Sequence, residues 1–389
     1  MIGRSAPGAS ARPNSGIARE RESLKVTRNI RKQTERLLML NYAKLLTLFT
    51  GAALLSACSS PSVSQKEAAT DSHVIIGVNK GPTAVLTYSP KTLKFTGQAL
   101  TENADAHYVR LTGDTLFTLH PNALSASALD AGNAELSPIA TTESGKGPTA
   151  VEALPGGSLV FTAHFPDKRL TARGFDGTKF SKPQEFPCSE AHQFRPHPNG
   201  KFAYAACRAD TLRQFKLDAG AGTVTPLEPA IVTVAGGPRH LDFHPSGDTL
   251  YLLLEHSSEV AVFNINPDTG AVVQPPKQTI PTTVDGAMNR SSDIHISPNG
   301  KHVYAFNRVN QDMAVFDVAP DRTLERTAIV PMGFGEVRDW AMAKDGDYII
   351  TASNEGHVGL WSVDPETGVL TLSDARTGLG NAVSAAIVE

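Results

Sequence analysis

The chain has 389 residues, 40% of them hydrophobic and 19% charged, enough for one large core or two domains. Its formal charge of −3 hides an asymmetry: residues 1–38 hold nine Lys/Arg against three Asp/Glu, whereas from Cys58 onward 26 Lys/Arg face 36 Asp/Glu, a net −10. So acidic a body excludes nucleic acid as an expected partner.

The N-terminus reads as an address. Residues 45–57, LLTLFTGAALLSA, form an apolar run too short to span a bilayer as a mature helix, with Lys44 just ahead of it. The run ends Leu55-Ser56-Ala57-Cys58, followed by Ser59, Ser60 and Pro61, and is similar to a bacterial lipobox, in which the Cys is lipidated. Met39 opens a conventional signal, so residues 1–38 are either an over-long start or a basic extension. The expected order is therefore 1–38 extension, 39–57 lipoprotein signal, 58–72 polar tether and 73–389 globular body. Lipidation at Cys58 would hold that body at the cell envelope by an anchor alone; without the lipobox the chain would stay cytoplasmic.

The body repeats. HVIIGVN and TAVLTYS, within residues 73–95, read as two strands lacking one before them. Residues 147–154, GPTAVEAL, read as a first strand. Residues 191–215, 236–263, 292–316 and 337–361 each read strand, Gly turn, strand, polar turn, strand, with β-branched and aromatic residues in the runs. Turn glycines 113, 157, 200, 247, 300 and 346 are spaced 44, 43, 47, 53 and 46 residues apart, the period of a four-stranded propeller blade. The last residues, GNAVSAAIV (380–388), match GPTAVEAL and supply the missing strand of the first unit. The predicted fold is all-β: a seven-bladed β-propeller of four-stranded antiparallel blades, its ring closed by the C-terminal strand, with no open edge left.

In such blades the first strand lines the channel, and its start shares a face with the end of the second strand. Strand-one starts carry His192, Arg239 with His240, Asp293 with His295, and Arg338 with Asp339. Strand-two ends carry Asn79, His120, His164, Arg208, Glu255, Asn307 with Arg308, and Asn354. Charges of both signs thus converge on one rim, a concave candidate site. His197 and His244 precede Pro turns and belong to the opposite face.

GPRHLDFHPSG, LLLEHSSEVAVF and DIHISPNGKHVYAFNR resemble the seven-bladed lactonase family, which includes propeller-type 6-phosphogluconolactonases and carboxymuconate lactonizing enzymes. The resemblance covers residues 73–389 and is strongest over 191–316. It implies a lactone hydrolase acting on a sugar-type lactone in carbohydrate metabolism, with active residues His192, Arg239, Glu255 and Arg308. His240, Asp293, His295, Asn307 and Arg338 are the expected substrate contacts. The chain departs from the family at Leu254, where Asn is usual, and around Cys207-Arg208, where the family has Asp.

Opening a lactone needs an activated water and a stabilised oxyanion. Glu255 is a candidate base, with His192 as the alternative base or as acid for the leaving alkoxide; Arg239 and Arg308 would bind the oxyanion or an anionic substrate group. Two arginines beside one Glu would also depress its pKa, leaving the assignment open. No cluster has metal-ligand spacing, and no Gly-x-Ser-x-Gly elbow, phosphate loop or dinucleotide fingerprint occurs, so no metal or cofactor is expected. Cys188 and Cys207 fall on one blade, where an oxidising compartment would join them; the alternative is two buried thiols. A monomer acting on a small lactone is expected. The rival reading is a non-catalytic envelope propeller that binds a protein or small ligand on the same face.

Overall fold

A computed structural model of the protein describes residues 71–388; the signal, Cys58 and nearly all of the tether lie outside the described residues. The described residues form 28 strands in seven four-stranded antiparallel sheets. Blades 2 to 7 run in sequence, with first strands Tyr108–Thr112, Pro148–Ala153, Ala191–Pro196, Pro238–Phe243, Ile294–Ile296 and Val337–Met342. Blade 1 takes its first strand, Asn381–Val388, from the chain end and pairs it with Ser72–Asn79, from His73 opposite Val388 to Asn79 opposite Asn381 with a bulge at Gly77/Val78. First strands pack against one another around the axis.

Second strands lie between neighbouring sheets, so they read as unbroken apolar runs rather than alternating ones. Leu159–His164, Phe202–Cys207, Thr249–Leu254, His302–Asn307 and Tyr348–Ser353 are buried along their whole length. Apolar clusters fill the spaces between adjacent blades. Between blades 3 and 4 the rings of Phe161, Phe186, Phe194 and Phe215 meet at centroid distances of 4.8 to 6.2 Å. Phe161, Phe194 and Phe215 are fully buried and contribute about 1.5–3 kcal/mol each, with the half-buried Phe186 packed against them.

The hairpins joining first to second strands need a left-handed residue, and Gly200, Gly247 and Gly300 supply it at φ of 69°, 75° and 74°. The histidines before the Pro turns latch neighbouring blades there. His197 Nε2 lies 2.9 Å from the Gly247 carbonyl oxygen, and a Cβ on Gly300 would come within 2.6 Å of His244 Nε2. Both histidines therefore belong to the face opposite the site.

Candidate active site

On the other face the first strands begin with β-bulges: register shifts fall at Ala191/Gln193, Pro238/Leu241 and Val337/Asp339. A bulge re-aims side chains that alternation would otherwise send to opposite faces. Consecutive residues Arg239 and His240 consequently both line one cavity of about 130 Å³, together with His192, Arg338, Tyr108 and Asn79.

Glu255, 1% exposed, follows the second strand of blade 5 and anchors a cluster of guanidinium groups. Arg208 Nη1 donates to its Oε2 at 2.8 Å, Arg308 Nη2 donates to Oε1, and Arg239 Nε lies 3.2 Å from Oε2 as an ion pair. Burial pushes the Glu255 carboxyl up, but Arg239, Arg308 and Arg208 outweigh it and hold the group below the usual carboxylate range. Arg308 is further held by its Nε donating to the Arg290 carbonyl at 2.6 Å. Arg239 is different: its Nη1 is buried with no hydrogen-bond partner in the protein. Burial lowers its pKa to about 9, against the pull of Glu255.

His192 and His240 stand beside this cluster. His192 Nδ1 lies 3.1 Å from His240 Nε2, and His240 Nδ1 lies 2.5 Å from Asp293 Oδ1. Burial and the cations Arg239, Arg208 and Arg338 drive the His192 pKa well below 6.5, so it is neutral at pH 7. Asp293 Oδ2 accepts from His295 Nε2 at 3.1 Å, and His295 Nδ1 lies 3.6 Å from Asp242 Oδ2. Burial opposes charge on His295, but the two carboxylates raise its pKa to about 9.

The structure thus brings His192, Arg239, His240 and Arg338 to the cavity and Glu255 and Arg308 beside it. Asp293 is covered beneath, and His295 faces a second cavity of about 280 Å³ farther along the channel with Asp242, Arg195 and Trp340. Asn307 is not brought to the site. Its Oδ1 accepts from Thr282 Oγ1 and Ser291 Oγ, and its Nδ2 donates to Asp312 and the Thr282 carbonyl, so its polar capacity is engaged in pinning the 282–291 connection. His164 is buried against Thr162, and His120 bonds Ser125 beside a groove between blades 1 and 2. Tyr108 and Thr149 line the cavity but were not singled out from the sequence. Both occupy strand-one starts, the register position that signalled the others, in the two blades whose repeat is least distinct.

Asp293, His295 and Asp339 are grouped within 4.8 Å, the one such metal-competent trio found among the described residues. Their atoms are engaged elsewhere: Asp339 accepts from Tyr108 Oη at 3.0 Å and from the Ala385 amide at 3.1 Å, and the other two bond each other and His240. No metal is assigned to them. Cys188 and Cys207 form a disulfide, S–S 2.09 Å, flanking His192 and Arg208.

A family model described as "Lactonase, 7-bladed beta-propeller" matches residues 79–387. The 6-phosphogluconolactonase of Serratia proteamaculans (strain 568) is 28% identical over 238 residues, 58% of this chain and 70% of that protein. That of Pectobacterium carotovorum subsp. carotovorum (strain PC1) is 26% identical over 237 residues, 57% and 69% of the two chains. The Pseudomonas aeruginosa periplasmic gluconolactonase superposes with a TM-score of 0.74 at 18% identity, over 82% of this chain and 99% of that one, a likeness of fold.

Proposed function

This chain belongs to the seven-bladed β-propeller lactonase family, and we propose that it opens a sugar-type lactone by water attack at the cavity lined by His192 and Arg239. The observation that carries the reading is the cavity itself: a neutral imidazole beside a buried guanidinium with an unpartnered N–H, backed by a carboxylate locked among arginines. Relatives bearing the name 6-phosphogluconolactonase support the reaction class.

Glu255 is a poor base, because three arginines keep its proton affinity low; its part is to hold Arg239 and Arg308. His192 takes the proton as water attacks the lactone carbonyl carbon. The oxyanion forms against Arg239, joined by Arg338, and a positioned donor of this kind contributes about 10²–10³ in turnover. Collapse of the intermediate breaks the ring C–O bond, and His192 returns its proton to the alkoxide, giving the hydroxy acid. The cavity is smaller than the roughly 300–1,000 Å³ of a whole small-molecule site. It therefore holds the reacting end, and the remaining hydroxyls lie on the open rim.

The resemblance of the stretch ending at Cys58 to a lipobox supports an envelope location, and a disulfide in the body agrees with an oxidising compartment. In that setting a non-phosphorylated sugar lactone is the better substrate. The test is acid release by the purified protein from phosphorylated and plain aldonolactones, with spontaneous hydrolysis subtracted. Turnover of a plain lactone supports the whole reading. Turnover of phosphorylated lactones alone overturns the choice of substrate, and no rate above background on any lactone turns the face into a binding surface.

A further inference from the structure

The line of hydrogen bonds running from the cavity to Asp293 fixes more than position. Asp293 carries no proton: its Oδ1 accepts from the Ile294 amide at 2.9 Å as well as facing His240, and its Oδ2 accepts from His295. The proton in the 2.5 Å contact must therefore sit on His240 Nδ1. His240 is 1% exposed, and burial lowers its pKa against the pull of Asp293, so it is neutral and holds that proton alone. Its Nε2 is then a bare acceptor. The 3.1 Å contact can only be made if His192 Nδ1 donates, and neutral His192 is left with a bare Nε2 on the cavity side.

Resting on the lactone-hydrolase reading, we propose that His240 and Asp293 are positioning residues that fix the tautomer of His192, making its Nε2 the nitrogen that accepts the proton of the attacking water. His295, held between Asp293 and Asp242, keeps Asp293 in its acceptor role from the far side. The line spans three blades: His192 from blade 4, His240 from blade 5, Asp293 and His295 from blade 6. Protonating His240 would turn its Nε2 into a donor and force His192 into the opposite tautomer, so one proton on His240 disables the base without touching it. The groups facing His192 are Arg239 and His240 of blade 5, Arg208 at the end of its neighbouring strand and Arg338 of blade 7; those facing His240 are Asp293, His295 and Arg239.

The experiment reads the tautomers directly. Protein labelled with ¹⁵N-histidine is examined by ¹H–¹⁵N correlation at pH 7.5, with His192→Gln and His240→Gln used to assign the two rings. Both rings should carry their proton on Nδ1 and show an unprotonated Nε2. In Asp293→Ala no acceptor is left opposite His240 Nδ1, so both rings should lose the fixed Nδ1–H form and show protons on either nitrogen. The turnover number should then fall toward the roughly 10⁴-fold loss of wrong-tautomer variants of histidine bases, with KM unchanged. An Nε2–H tautomer at His192 in the wild type overturns the proposal, as does an Asp293→Ala variant with wild-type turnover. The expected tautomers with no lactone turned over would uphold the hydrogen-bonded line and overturn the hydrolase reading instead.

Discussion

Glu255→Gln separates the two parts this residue has been offered, base and anchor. The side chain is 1% exposed, and its oxygens receive Arg208 at 2.8 Å, Arg308, and the charge of Arg239 at 3.2 Å. An amide keeps one acceptor and turns an NH₂ toward cations, so at least one buried guanidinium loses its partner. Removing one member of a buried ion pair costs about 3–5 kcal/mol. Because one oxygen survives, the lower end, about 3 kcal/mol, is expected. At roughly 2.1 cal/mol/K per residue over the roughly 320 residues of the propeller, that lowers the melting temperature by about 4–5 °C. Turnover should fall about 10²–10³-fold as Arg239 loses its fixed direction. The assay pairs thermal unfolding with lactone hydrolysis, run where both proteins are folded, across pH. If Glu255 were the base, the acid limb of the rate profile would vanish as well, and an unchanged melting temperature would refute the anchoring argument.

Three further outcomes follow from the same geometry. The Cys188–Cys207 disulfide spans 19 residues, and chain-entropy closure of such a loop is worth about 3 kcal/mol, so reduction should lower the unfolding free energy extrapolated from urea by that amount and move the midpoint down with it; equal midpoints for oxidised and reduced protein would count against it. Burial, with Arg169 adding to it, lowers the His164 pKa from 6.5 to about 4. The unfolded state then binds the extra proton between these values. Stability contributed by neutral His164 is present above pH 6.5 and falls by about 3 kcal/mol as the pH drops to 4, at about 1.36 kcal/mol per unit; His164→Gln should flatten the slope of urea midpoint against pH in that window. His295 has the opposite sign. Its pKa is raised to about 9, so its contribution is whole below pH 6.5 and is lost as the pH rises through 9. His295→Gln should remove that alkaline slope, and an unchanged slope would mean the imidazolium pair with Asp293 and Asp242 does not form.

The fold was legible because a propeller repeats its punctuation. Turn glycines and buried second strands recur in blades 4 to 7, and the match of 380–388 to 147–154 disclosed the closing strand that pairs with Ser72–Asn79. The site was legible only where strand register was. Glu255, Arg308 and Arg208 each stand one residue beyond the last residue of a second strand, whereas His164 and Asn307 are the last residues themselves. Neighbouring residues of a strand point to opposite faces, so that single step sends Asn307 and His164 between blades and the others toward the cavity. A sequence of Asn307-Arg308 offers two polar residues and no means of telling which one turns inward. The bulge that lets Arg239 and His240 both reach the cavity has no signature in PRHL either.

Ring closure and chemistry are connected through Asp339. This residue lies beside Asp293, and burial together with the Asp293 charge raises its pKa to about 7. Two structural donors hold it: Tyr108 Oη from blade 2 and the Ala385 amide from the closing strand. Two buried carboxylates this close are tolerated because a proton, the His295 imidazolium and these donors share the charge between them. Against its burial, His295 and His240 hold Asp293 well below the usual carboxylate range, so Asp339 is the carboxyl that takes the proton. The Ala385 amide of the closing strand pulls Asp339 back toward the charged form, so burial and the neighbouring Asp293 charge, not ring closure, put the proton there. What the closing strand gives the site is structural: its Ala385 amide holds Asp339 beside Asp293, and its Val383 joins the lining of the cavity.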